Sequence, residues 1–340
     1  MVKLKFSKSS KYNSKPIIID GFSGSGKILI SELLKAYNDS EISTWNISFD
    51  YLPILYSFEA IEKEAAKSTL RSIFDEITYN ISIGRNLNWR RKDLSFAFDH
   101  PKKISYLKNM FLDVLDDNFI MEKVAPKMNI PFLVHMATFN NFLLEDTFGS
   151  DIKFFYTLRD PLYILETYSS YIHRIETDPR EFTPKYNFNG LDLPWFANGW
   201  EEEYSKINQT EKSITLIEKC FDHLYRKLAS TQNNKKYKVI FFEDIILRTD
   251  DKCKEIAEFL SLDYKSSILR KIKKKNKLPR NNVNVVEGFW KRYTAKKISR
   301  NGENEENILY RTKNMINKYY FEKLQNLRIR YFNFKETTDT

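Results

Sequence analysis

Three features of the chain predict an α/β fold, a P-loop-type parallel β-sheet flanked by helices with helical insertions. Apolar strand-like runs alternate with helical patterns, the first strand enters a glycine-rich turn, and that turn opens an apolar helix. The strand is Pro16-Ile17-Ile18-Ile19-Asp20, the turn Gly21-Phe22-Ser23-Gly24-Ser25-Gly26-Lys27, and the helix starts at Ile28-Leu29-Ile30. Three of the nine glycines fall within six positions. Glycine lets the backbone turn its N–H groups inward, and the following helix presents its positive end to an anion. Lys27 adds a point charge for a phosphate oxygen, and Ser23 and Ser25 are further donors. Gly21 to Lys27 satisfies G-x-x-x-x-G-K, but Ile28 stands where a Ser or Thr would hold magnesium. The alternative is an ordinary glycine turn between strand and helix.

A second strand is read over Ser43–Asp50, ending in a carboxylate. Residues 55–127 turn helical and charged, a helical insertion laid over the sheet. Strand runs return at Pro131–His135, Ile152–Leu158 and Tyr237–Phe242. A helix opens at Asp160-Pro161, an N-cap followed by proline at the first helical position. Residues 176–208 read as a polar, aromatic loop, 211–230 as an amphipathic helix, 250–260 as another helix, and Lys271–Lys277 as a basic low-complexity stretch. Residues 1–14 form a polar arm, and 15–335 read as one domain. Ligands of parallel sheets bind at the carboxyl ends of the strands. The phosphate loop, His135, Arg159 and a basic C-terminal segment all fall there.

Bulk composition narrows the function. With 340 residues, 42% hydrophobic residues, 26 Phe and 20 Tyr, the chain folds around a full core. The net charge of +10 suits an anionic ligand, but the lysines are spread along the chain, which argues against a nucleic-acid face. Two cysteines, Cys220 and Cys253, sit in helical patterns and read as reduced core thiols. With four scattered histidines they offer no metal-ligand spacing, so no metal is expected. No apolar run approaches the roughly 18 residues of a bilayer span. The lysine- and serine-rich start lacks the apolar core of a secretory signal. The expected location is the cytoplasm.

In four places the chain resembles the sulfotransferases that use 3′-phosphoadenosine 5′-phosphosulfate. The strand-loop-helix over 17–34 resembles their 5′-phosphosulfate loop. Arg159-Asp160-Pro161 resembles the 3′-phosphate motif, with Thr167 where the family usually has serine. Phe242-Glu243-Asp244-Ile245, with a helix ending in Phe259-Leu260, resembles the strand-Glu-Asp-helix segment. Gly288-Phe289-Trp290-Lys291 is similar to the Gly-Asp-Trp-Lys that closes the cofactor site. The resemblance covers about 16–330 and implies sulfuryl transfer to a hydroxyl or amine of a small-molecule or glycan acceptor. It implies that Ser23 to Lys27 hold the 5′ side. Arg159 and Thr167 would hold the 3′-phosphate, with Arg280 and Lys291 closing over it. The family's loop cation stands two residues before the last glycine; this chain has Gly24 there and its charge at Lys27.

Such transfer needs a base for the acceptor proton and donors for charge growing on the leaving phosphate. Lys27 and the loop amides are the donors. His135, 24 residues before Arg159, stands close to where histidine-using cytosolic members carry their base. A half-buried histidine ending a core strand is the plain alternative, and His100 and Asp50 are the next candidate bases. His173 and His223 lie in helical patterns and read as structural. Two rival classes stay open: an ATP-dependent P-loop nucleoside or small-molecule kinase, with Asp20 or Asp50 supporting the metal, and a non-catalytic nucleotide-binding module.

Overall fold

Ile17-Ile18-Ile19 is a β-branched run, and a strand of that kind is stable when both of its faces and edges are covered. In the computed structural model it is the inner part of β1 (Lys15–Gly21), flanked on both sides. The structure describes residues 6–338 except 92, 94, 113–114, 136, 179–180, 231–234, 282 and 284–303. After β1 come α1 (Lys27–Leu34), α2 (Ser48–Ser57), α3 (Lys63–Ser82), α4 (Lys103–Leu112) and α5 (Asp117–Phe119). Then follow β2 (Asn129–Leu133), α6 (Phe142–Phe148), β3 (Lys153–Leu158) and α7 (Pro161–Thr177). A hairpin of β4 (Lys185–Phe188) and β5 (Leu191–Pro194) precedes α8 (Glu201–Lys206) and α9 (Gln209–Ser230). The chain closes with β6 (Tyr237–Phe241), α10 (Phe242–Leu247), α11 (Thr249–Leu260), α12 (Ser266–Asn276), α13 (Glu305–Met315) and α14 (Lys318–Thr338).

The main sheet has the order β2-β1-β3-β6, and every pairing is parallel. Ile18 pairs with Phe132 on one side and Phe154 on the other, and Gly21 pairs with Thr157. Alternate residues feed two cores. Ile18, Phe132, Phe154 and Tyr156 join one, under α3, α7, α9 and α14. Ile17, Ile19, Phe155 and Ile240 join the other, under α1, α11 and α12. Because the chain goes to one side of β1 for β2 and to the other for β3, it reverses at β1. The carboxyl edge there is where a ligand crevice opens.

The expected strand over Ser43–Asp50 is not formed. Thr44 makes one isolated parallel bridge to Phe132, its N–H donating to Pro131 O at 2.9 Å. Asn46 then starts a helix: its side chain accepts from Ser48 N at 3.0 Å, and its carbonyl from Phe49 N at 3.1 Å. Asp50 therefore lies in the first turn of α2. The 176–208 loop contains the β4–β5 hairpin. Its turn, Asn189-Gly190, has φ of 50° and 85°, the left-handed pair that a two-residue hairpin requires. That dipeptide was the available signal. The Lys271–Lys277 stretch lies largely in α12, which buries Leu269 and Ile272. The described part of the N-terminal arm lies along α3, where Ser14 and Thr78 hydroxyls meet at 2.7 Å and Lys8 pairs with Asp75.

Candidate active site

Tight packing shapes the phosphate loop. A Cβ on Gly21 (φ 141°) would stand 2.2 Å from Thr157 Oγ1, and one on Gly26 (φ 104°) 2.8 Å from the Phe242 ring. Only glycine lets the backbone approach β3 and α10 this closely. The Ser25 hydroxyl faces inward, bonded to Phe22 O at 2.8 Å and Thr157 Oγ1 at 2.7 Å, so it braces the loop. The Ser23 hydroxyl has no partner among the described residues. Asp20 is fully engaged: it accepts from Gly21 N, Thr138 N and Thr138 Oγ1, all at 2.7 Å. The Leu29 and Ile30 N–H groups both donate to the Gly26 carbonyl, at 2.9 and 3.1 Å, which leaves those of Lys27 and Ile28 without an intrahelical acceptor at this turn.

Lys27 is buried, and its Nζ donates to Val134 O at 2.7 Å. Burial lowers its pKa, while Asp20 and Asp50 pull the other way. An ammonium has three donors, and this one stands between the phosphate loop and the end of β2.

Arg159 follows β3 and lies against the same loop. Its Nη1 donates to Gly24 O and its Nη2 to Val283 O, both at 3.1 Å. The guanidinium stacks on Phe242, 4.2 Å from the ring centroid, so that ring touches both Arg159 and the Gly26 position. Arg159 is buried, yet its Nε has no partner among the described residues. A buried unpaired donor is costly, and a polar ligand group placed there would remove that cost. Burial opposes the arginine's charge; Glu243 and Asp160 favour it. Thr167 stands across from Gly24, its Cβ 3.5 Å from where a Gly24 Cβ would be.

The corner carrying Arg159 is held from behind. Asp160 caps α7 by accepting from Leu162 N at 3.0 Å and takes a two-point ion pair from Arg328 of α14, at 2.9 and 2.7 Å. Glu243 accepts from Asp160 N at 3.1 Å and from the Tyr331 hydroxyl at 2.6 Å. Residues 305–338 drew no assignment from sequence, because their role is to brace a motif about 170 positions earlier.

His135 lies just past β2, with its side chain 42% exposed. Its N–H donates to Asp50 Oδ1 at 2.7 Å, and its Nδ1 is 3.4 Å from Asp50 Oδ2. Two of the sequence's rival bases are thus one pair. Trp45 meets the imidazole edge-on with centroids 6.1 Å apart, Tyr171 lies parallel to it at 6.4 Å, and Phe182 stacks on Trp45 at 6.2 Å. Sequence pattern missed these three rings, since each comes from a different segment.

The third candidate base, His100, is not in this site. It is 2% exposed, its Nδ1 accepts from Lys102 N at 3.2 Å, and its Nε2 has no partner among the described residues. Burial, with Lys102 and Lys35 adding to it, pushes its pKa down to about 3. The unfolded chain therefore takes a proton below about pH 6.5 that the folded chain refuses until about pH 3, so stability falls as pH drops through that window. At pH 5 the loss is about 2 kcal/mol. In urea unfolding, His100→Gln is expected to lose that much less stability than the native chain between pH 7 and pH 5. Equal losses would mean that His100 takes up its proton while folded. His173 is exposed on α7, and His223 packs on Phe139.

Arg280 directs Nη2 to Asn276 O at 2.9 Å and Nε to Lys277 O at 3.3 Å, binding carbonyls at the end of α12. Lys291, with the rest of Gly288–Lys291, lies outside the described residues.

A glycine-rich turn at a helix start, an arginine against that turn and a half-exposed histidine past the neighbouring strand thus lie together along the carboxyl edge of the sheet. The chain belongs to the sulfotransferase domain family, whose model matches residues 14–327, and its activity is that of a sulfotransferase. No curated protein matched the sequence. Among solved structures, the chain is similar to a sulfotransferase domain from the curacin biosynthetic pathway, with 11% identity, 75% of this chain and 76% of that one covered, and a TM-score of 0.40. It is also similar to sulfotransferase STF9 from Mycobacterium avium, with 11% identity, coverage of 79% and 70%, and a TM-score of 0.42. Mouse sulfotransferase SULT7A1 complexed with PAP shows 14% identity, coverage of 95% and 86%, and a TM-score of 0.40.

Proposed function

We propose that this sulfotransferase takes its sulfuryl group from 3′-phosphoadenosine 5′-phosphosulfate and passes it in line to a hydroxyl, or amine, of a small-molecule or glycan acceptor. The observation that carries the reading is Arg159 bonded to the carbonyl of Gly24 with its buried Nε unpaired. One nucleotide bearing phosphates at both ends would span that arginine and the loop. The acceptor oxygen bonds to sulfur as the bond from sulfur to the 5′-phosphate oxygen breaks, and the acceptor proton passes to His135. Loop N–H groups and Lys27 offset the charge growing on the leaving bisphosphate. Arg159 and Thr167 hold the 3′-phosphate, and Ser23, Gly24 and Gly26 line the 5′ side. Ser25 shapes the loop from within. Lys291 stays a candidate for closing the site. The buried cysteines are both free thiols, which suits a cytoplasmic enzyme.

The kinase reading wants an available carboxylate for its metal, and both that the sequence offered are engaged: Asp20 by Gly21 and Thr138, Asp50 by His135 and Trp45. In thermal shift without magnesium, 3′-phosphoadenosine 5′-phosphate is expected to stabilise the protein and ATP to have little effect. Stabilisation only by ATP with magnesium would overturn the reading, and binding without sulfuryl turnover across a panel of alcohols would leave a nucleotide-binding module.

A further inference from the structure

A histidine acts as base through one ring nitrogen, so the other must carry the proton, and something must hold it there. Asp50 is placed to do so. It is 8% exposed and lies in the first turn of α2, and one of its oxygens accepts from the His135 N–H at 2.7 Å. The other stands 3.4 Å from His135 Nδ1 and accepts from Trp45 Nε1 at 3.2 Å. His135 Nε2 has no partner among the described residues, and the ring's surroundings are Trp45 and Tyr171. The Lys27 ammonium is bonded to the carbonyl of the preceding residue, Val134.

We propose that Asp50 is a positioning residue for sulfuryl transfer, holding His135 with its proton on Nδ1 so that Nε2 faces the acceptor hydroxyl, and pinning Trp45 as a wall of the acceptor pocket. This rests on the reading of His135 as the base. The backbone bond fixes where the imidazole starts and the second oxygen fixes how it turns, so one buried carboxylate sets both. When Nε2 takes the acceptor proton, the imidazolium forms beside a carboxylate that needs no rearrangement. The proton stays on Nε2 until product leaves. Because Trp45 shares the same oxygen as His135 Nδ1, base and acceptor wall move as one unit.

Side-chain nitrogen NMR of the native protein, with His135→Ala to assign the signal, is expected to show the His135 proton on Nδ1. Asp50→Asn is expected to move that proton and to lower kcat by at least about a hundredfold, up to the roughly 10⁴-fold lost when a general-base histidine is left in the wrong tautomer. Its affinity for 3′-phosphoadenosine 5′-phosphate is expected to stay native, and Asp50→Glu is expected to restore part of kcat. A native His135 protonated on Nε2 overturns the proposal whether or not the variants fold, as does Asp50→Asn with native kcat. If His135→Ala keeps its turnover, the reading of His135 as base falls instead.

Discussion

Replacing His135 with alanine is expected to cut turnover at least about a hundredfold while leaving the affinity for 3′-phosphoadenosine 5′-phosphate within about twofold of native, since a general base contributes typically 10²–10⁴-fold. The expectation follows from where the side chain stands. It is the half-exposed group at the end of β2, next in the chain to the carbonyl that anchors Lys27. Its bonds run to Asp50 and none run to the phosphate loop or Arg159, so its loss removes a proton acceptor without disturbing the donor's grip. Stability is expected to change little, because the bond to Asp50 that organises this turn comes from the backbone N–H, which alanine keeps. Single-turnover rates and calorimetric binding, on one preparation, check both halves. Surviving turnover would take the base away from His135, and His100 is then no substitute, being sealed in the core with its pKa at about 3.

The second large effect is expected at Arg159, on binding. Arg159→Ala should weaken 3′-phosphoadenosine 5′-phosphate binding by about 1.5–3 kcal/mol, the worth of a hydrogen bond to a charged group, and the donor's KM should rise with it. Arg159→Lys should recover only part, because an ammonium lacks the planar fork that lets one side chain hold Gly24 O, Val283 O and a phosphate together. Removing the arginine also leaves Phe242 without the guanidinium stacked at 4.2 Å, so a modest drop in melting temperature is expected. Calorimetry separates the cases. Unchanged affinity for the bisphosphate removes Arg159 from the donor site, and lost affinity for an adenosine lacking the 3′-phosphate would move it to another part of the nucleotide.

Much of this site was readable from one dimension because its chemistry is local. The phosphate loop is seven consecutive residues whose turn, glycine spacing and helix start all depend on near neighbours, and Asp160-Pro161 caps its own helix. Ile17-Ile18-Ile19 marked the central strand, since β-branched residues without polar alternation suit a strand covered on both faces. The stretch over Ser43–Asp50 misled for a matching reason. Its residues suit a strand edge, but the Asn46 side chain bonds to the backbone two residues on and turns the chain into a helix.

Long-range pairing belonged to the folded chain alone. Asp50 and His135 are 85 positions apart, Arg328 and Asp160 are 168, and no local spacing encodes either meeting. The sequence offered Asp50 and His135 as competing bases; the fold made them partners by starting α2 at Ser48, two residues before Asp50 could end a strand. It also turned Ser25 inward, buried His100 and set Arg159 against Gly24. Residue types determine which reactions a chain can attempt, because pKa, charge and donor count travel with the side chain. Which groups share one crevice depends on how a parallel sheet reverses at its central strand, and that is settled only when both cores close around it.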